Sequence, residues 1–267
     1  MNPDSPNSRI RRGPAARPSL IPLIALLPLI WLAGILCVWA APGEQGQPET
    51  IGDGIGYRMV QAPASGIQFP RLTRYRDRSI VKQVNREIDQ LVETMTCGEN
   101  AEEGSYEVRS EVTYAAKDIF SIYASASYYC GGPYPTNDSN QSTTFDLKTG
   151  KIVNFPDLFR DYEADKRDIL GTIFAEQVAR AERSAARSGK EAGRGGGEES
   201  CEDDPSLFSL EHLAQSDFAF NLAREGLQVQ PRWPHVIEAC ALRVTMPYAA
   251  LKKFAKPDGI LARVLVP

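Results

Sequence analysis

The sequence predicts an α+β domain, a mainly antiparallel sheet with helices packed on one face, preceded by one N-terminal membrane helix. Three observations predict it. Residues 20–41 form an unbroken uncharged run of 22 residues, residues 79–95 repeat apolar side chains at steps of three or four, and residues 106–129 alternate apolar and polar side chains. With 42% apolar and 24% charged residues over 267 positions, the chain has an ordinary globular balance.

The apolar run comes first. Arg9, Arg11, Arg12 and Arg17 precede it, with Asp4 as the only acid, so residues 1–19 are expected in the cytoplasm and everything after residue 41 outside it. A spanning helix needs about 20 residues and the core of a cleaved signal about 7–15, so the length favours a retained anchor in the inner membrane. The alternative is secretion after cleavage near Val38-Trp39-Ala40. Cys37 follows Leu36, not the small residue of a lipoprotein signal.

Residues 42–54 are polar with Pro and Gly and are expected as a linker; residues 55–267 then form one extracytoplasmic domain. Strand-like Tyr57–Val60 and Gly66–Pro70 flank an Ala-Pro-Ala-Ser turn. In Ser79–Met95, the spacing of Ile80, Val84, Ile88, Leu91 and Met95 predicts an amphipathic helix. Tyr106–Tyr114 and Ile119–Tyr129 are expected as a hairpin around Ala-Ala-Lys-Asp. Tyr134–Ser142 is expected as a loop, Ser142–Leu147 as a strand that turns through Lys148-Thr-Gly-Lys151, and Asp157–Phe159 as a short turn. In that hairpin Thr149-Gly150 supplies the positive φ of a tight turn.

One long helix is expected from Glu163 to Ser188, with Ile169, Ile173, Val178 and Ala181 along one face. Residues 189–204 (GKEAGRGGGEESCEDD) are a low-complexity insertion. Strands are expected at Phe218–Leu222, Leu227–Gln230 and Ala241–Met246, and a closing helix from Pro247 to Phe254.

Cys97, Cys130, Cys201 and Cys240 are an even set in a compartment that permits oxidation, which points to two disulfides. Four cysteines allow three connectivities, and all three stay open. Zinc is disfavoured because these cysteines are dispersed and the chain has only His212 and His235. A catalytic cysteine served by His235 is the weaker alternative, since an even exported set needs no free thiol.

Beyond residue 41 the chain carries 26 Lys plus Arg against 33 Asp plus Glu, a balance of −7. That makes the domain a poor candidate for binding nucleic acid or anionic lipid. The chain has no phosphate-cradling glycine loop, and its acidic run at 198–204 lacks the ligand pattern of an EF-hand, so no cofactor is expected.

Five short pieces carry a family resemblance: Cys130-Gly-Gly-Pro-Tyr-Pro135, Phe145-Asp-Leu-Lys-Thr-Gly-Lys151, Asp157-Leu-Phe159, Gly226-Leu-Gln-Val229 and Val244-Thr-Met-Pro-Tyr-Ala-Ala-Leu251. Over residues 55–265 the chain resembles a family of extracytoplasmic domains of unknown function. These domains occur in the ectodomain of a lysozyme-sensing anti-sigma factor and in front of some peptidoglycan deacetylase modules. Pro133-Tyr134 stands where that family often has Ala-His, and no Asp/His metal set of a deacetylase is visible. The resemblance implies a fold and an envelope address, and no reaction. About twenty residues precede the apolar run, so direct sigma-factor control is not expected.

The functional expectation is therefore a tethered, non-enzymatic domain that binds or senses an envelope protein or a peptidoglycan-related ligand. Tyr134, Asn137, Asp138 and Asn140 form the candidate binding loop, an aromatic anchor with polar companions. The alternative is a glycan or peptide hydrolase using Asp146 and Asp157 as a carboxylate pair, or His235. Two acids at turn positions are more often caps.

Overall fold

A computed structural model describes residues 49–61, 67–95, 105–129, 137–188, 206–238 and 240–266. The chain divides into a unit Met1–Gly43 and a unit Glu44–Pro267, and every described residue belongs to the second. The expected cytoplasmic segment, the apolar run and the insertion at 189–204 lie outside the described residues. Among the described residues no helix is long and apolar enough to cross a membrane.

The domain is α+β, and its strands form three antiparallel sheets. The first contains β1 (Thr50–Gly52), β2 (Ile55–Gln61) and β3 (Gln68–Arg74) in that order. β1 falls inside the stretch expected as linker. It forms because Asp53 and Gly54, at φ 50° and 76°, make a two-residue hairpin turn that folds Thr50–Gly52 back on β2.

Helix α1 (Arg78–Thr94) follows, starting where the Asp77 side chain accepts from the Ser79 amide at 2.7 Å. It buries Ile80, Val84, Ile88 and Val92, the face set by its sequence period. Asn85 ties it to β3: its amide donates to the Leu72 carbonyl at 2.8 Å and its oxygen accepts from the Leu72 amide at 2.9 Å.

The central sheet runs β4 (Ser105–Ala116), β5 (Ile119–Tyr129), β6 (Asn137–Asp146), β7 (Lys151–Ile152). Lys117 and Asp118, at φ 53° and 59°, close the β4–β5 hairpin inside the expected turn. One irregularity breaks the expected alternation of β4. The register shifts between Val112 and Tyr114, so Val112 packs with the N-terminal core while Tyr114 packs with the C-terminal one. At the β6–β7 turn Gly150 takes φ +73°, and a Cβ there would stand 2.9 Å from Ile80 Cδ1, so glycine also lets the turn close onto α1.

Alternate residues of β5 separate the two cores. Phe120, Ile122, Ala124 and Ala126 face one core with Phe145, Phe69, Leu72 and the α1 stripe. The other face carries Ser121, which meets Thr144 at 2.7 Å and accepts from the Leu222 amide at 3.0 Å. These buried, mutually satisfied hydroxyls join the central sheet to the third sheet.

The second core is built by the rest of the chain. The helix expected over 163–188 is bent into α2 (Tyr162–Ile173) and α3 (Ala175–Ser188). At Phe174, ψ of 25° departs from helix geometry although the bonds to Leu170 and from Val178 persist. The Phe174 ring is buried 5.7 Å from Phe218, and this anchorage re-aims α3. Helix α4 (Leu210–Gln215), not foreseen, starts at a Ser209 cap.

The third sheet has order β10 (Val244–Met246), β9 (Leu227–Arg232), β8 (Asp217–Leu222), with α5 (His235–Glu238) between β9 and β10. β10 is shorter than expected. The Gln230 side chain donates to the Ala241 carbonyl at 2.9 Å, where that segment runs without ladder pairing. The expected closing helix is α6 (Tyr248–Leu251) continued by a 3-10 turn at Lys252–Phe254, and α7 (Ile260–Leu265) follows it.

Candidate binding cleft

Asn154 marks where the chain leaves β7. Its amide and its side-chain nitrogen both donate to Asp157 Oδ2, at 3.2 and 3.0 Å, which fixes the 3-10 turn Phe155–Leu158. Asp161 then caps α2 by accepting from the Ala164 amide at 3.1 Å. These two caps aim Phe155, Phe159 and Tyr162 at one another. Phe155 and Tyr162 meet edge to face at 5.6 Å, and Phe159 stacks on Tyr162 at 5.7 Å. From β8, Phe218 and Phe220 approach Phe155 to 5.1 and 5.9 Å.

Above this aromatic floor lies a cleft of about 500 Å³. Its rim comes from three places. The N-terminal part of α2 gives Glu163 and Lys166, the β8–β9 hairpin gives Asp217 and Arg232 as directly opposed residues, and β6 gives Ser142 and Thr143. Lys166 Nζ lies 5.4 Å from the Tyr162 ring centre. Glu163, Lys166, Asp217 and Arg232 make no ion pair or side-chain hydrogen bond with other described residues. Burial, reinforced by the neighbouring Glu163 and Asp217 charges, pushes the Tyr162 phenol up to about 12, so it is neutral at ordinary pH.

A second cleft of about 440 Å³ shares Ile152 and Val153 with the first and is bounded by Asp146, Asp157, Lys256 and Arg263. The two acids singled out from the sequence thus reach one cleft. Each is already engaged: Asp146 pairs with Arg263 at 2.8 Å and accepts from the Lys148 amide at 3.1 Å, while Asp157 holds Asn154.

The candidate loop needs correction. Asn137, Asp138 and Asn140 are in strand β6, opposite Tyr128, Ser127 and Ser125 of β5. Asn and Asp are poor strand formers, but a paired partner strand overrides that preference. Asn140 accepts from the Tyr123 hydroxyl at 2.7 Å, with the Arg243 guanidinium 4.0 Å from the Tyr123 ring. Tyr134, Cys97, Cys130 and Cys201 lie outside the described residues. Cys240 is disulfide-bonded, and His235 opens α5, its side chain outside the description. Among the described residues no group of three His, Cys, Asp or Glu is placed to hold a metal ion.

No protein-family model matches the chain, and no curated protein matches it. Solved structures similar to it include two DUF3298 proteins. One is a member of that family from Bacteroides fragilis, with TM-score 0.47 and 12% identity, covering 82% of this chain and 100% of that one. Another is a DUF3298 family protein from Pseudomonas aeruginosa, with TM-score 0.40 and 12% identity, covering 79% and 96%. Both are bacterial proteins of a family of unknown function, and at these scores the likeness carries no argument about ligand or reaction.

Sequence reasoning missed the first cleft. The residues that build it are scattered over β6, α2 and the β8–β9 hairpin, and none belongs to a motif. The usable signals were Asp161 and Asn154 at cap positions and the aromatic run Phe155, Phe159 and Tyr162 at steps of three and four.

Proposed function

We propose that the protein is a membrane-tethered extracytoplasmic binding domain, held in the envelope by residues 20–41, which binds or senses a peptidoglycan-related ligand through the cleft beside Tyr162. The observation that carries this reading is a concave aromatic site of about 500 Å³ whose four rim charges have no ion-pair or hydrogen-bond partner among the described residues. Such a volume suits a small ligand better than the flat surface of a folded protein. The basic flank and length of the apolar run support the envelope address, as does the motif resemblance to exported envelope domains. The same address supports pairing of Cys97, Cys130, Cys201 and Cys240 in two disulfides.

The hydrolase alternative has less support. Asp146 is engaged in an ion pair with Arg263 and Asp157 holds Asn154 at a turn cap, so neither is left free to act as an acid/base pair.

To test the reading, full-length protein in nanodiscs is incubated with a peptidoglycan digest, washed, and its retained fragments are identified by mass spectrometry. Retention that is lost in Arg232→Glu is the expected result. No retained fragment, or retention indifferent to that substitution, refutes the assignment of the cleft.

A further inference from the structure

The rim charges carry information about what the cleft accepts. One wall, the N-terminal part of α2, presents Glu163 and Lys166; the β8–β9 hairpin presents Asp217 opposite Arg232. Each wall therefore offers one anion and one cation, and the rim as a whole is neutral. A polyanion would meet Glu163 and Asp217, and a polycation would meet Lys166 and Arg232, so both are repelled by half of the site. A neutral glycan can hydrogen-bond these groups through its hydroxyls but leaves all four charges without a counter-charge. A ligand bearing both signs pairs both walls together.

The floor narrows the class further. Half-buried Phe218, with the edges of the otherwise buried Phe155 and Tyr162, gives the cleft a narrow apolar strip, suited to the aliphatic body of a ligand whose charges lie at its two ends. We infer that the cleft is a site for a short zwitterionic peptide, with an ammonium group set against Glu163 and Asp217 and a carboxylate set against Arg232 and Lys166. The inference rests on the binding reading given above and names the ligand class for the same cleft. In peptidoglycan terms it selects the peptide portion over the sugar portion.

The test uses full-length, methyl-labelled protein in nanodiscs and reads the methyl signals of Thr143, which lines this cleft and not the second, together with Ile152 and Val153, which line both. Three probes are titrated separately: Lys-Ala-Glu with free termini, chitotriose, and tripolyphosphate. The expected result is that only the peptide moves these signals, and that its affinity falls about tenfold or more in Arg232→Gln and in the double variant Glu163→Gln with Asp217→Asn. These residues are solvent-facing and unpaired, so the variants fold; unchanged methyl spectra without ligand check this. Chitotriose or tripolyphosphate moving the signals as far as the peptide does overturns the zwitterion inference but leaves a binding cleft. Peptide affinity that ignores both variants overturns it as well. Silence of the cleft to all three probes overturns the binding reading and this inference with it.

Discussion

The two halves of the domain are organised differently. The N-terminal core is a sandwich of regular elements: a three-stranded sheet, one 17-residue amphipathic helix and the apolar face of β5 and β6. The C-terminal core is assembled from short helices, 3-10 turns and a small sheet around an aromatic cluster. Both clefts border the second half. Long periodic elements cover their apolar faces completely, whereas short pieces joined by caps leave concave ground between them. In this molecule the regular half supplies rigidity and the irregular half supplies surface.

The strongest test of that division is to empty the regular core. Phe120 is fully buried between Tyr57 and Phe145, at ring distances of 5.7 and 6.5 Å. Phe120→Ala is expected to lower the unfolding free energy by about 4 kcal/mol in urea titration, with loss of both halves together. Survival of tertiary signals from Trp233 after the N-terminal half has unfolded would show that the halves are separate folding units.

A smaller effect is expected at the tie between the halves. Arg263 is 12% exposed, pairs with Asp146 at 2.8 Å, and donates to the Lys117 and Asp118 carbonyls at 3.4 Å. Arg263→Ala leaves Asp146 without its cation and is expected to cost about 3 kcal/mol. Amide exchange should rise first in α7 and at the β4–β5 turn; an increase confined to α1 would contradict the tie.

The smallest effect at neutral pH is nil by construction. Tyr162 has a folded-state value of about 12 against an ordinary 10, so folding favours its protonated form. Its contribution to stability is fully present below pH 10 and is lost as pH rises from 10 to 12. Tyr248, half-buried and donating to the Ala223 carbonyl at 2.7 Å, is shifted upward as well, chiefly by desolvation. Urea midpoints should therefore fall between pH 10 and 12, and less steeply in Tyr162→Phe. An identical slope in the variant would contradict the burial argument.

The same contrast explains what the sequence made legible. α1 could be read because five apolar residues share one period, and the β4–β5 hairpin because alternation flanks a turn. The Asp53-Gly54 turn was equally readable, yet β1 passed for linker because its three residues are all exposed and carry no pattern. The bend at Phe174 and the strand status of Asn137–Asn140 were not readable, since both depend on partners far along the chain: Phe218 in the first case, β5 in the second. The cleft shares that non-local origin.

The hairpin tip at Lys117 and Asp118 has a further consequence. From the beginning of the domain, the Asp53 carboxylate accepts from the Lys117 amide; from its end, the Val266 carbonyl accepts from the Lys117 side chain and Arg263 donates to both tip carbonyls. Entry and exit of the fold are thus fastened to one point. A short splice between them would close the domain into a ring, and the chain could be reopened at a distant surface turn with its packing unchanged.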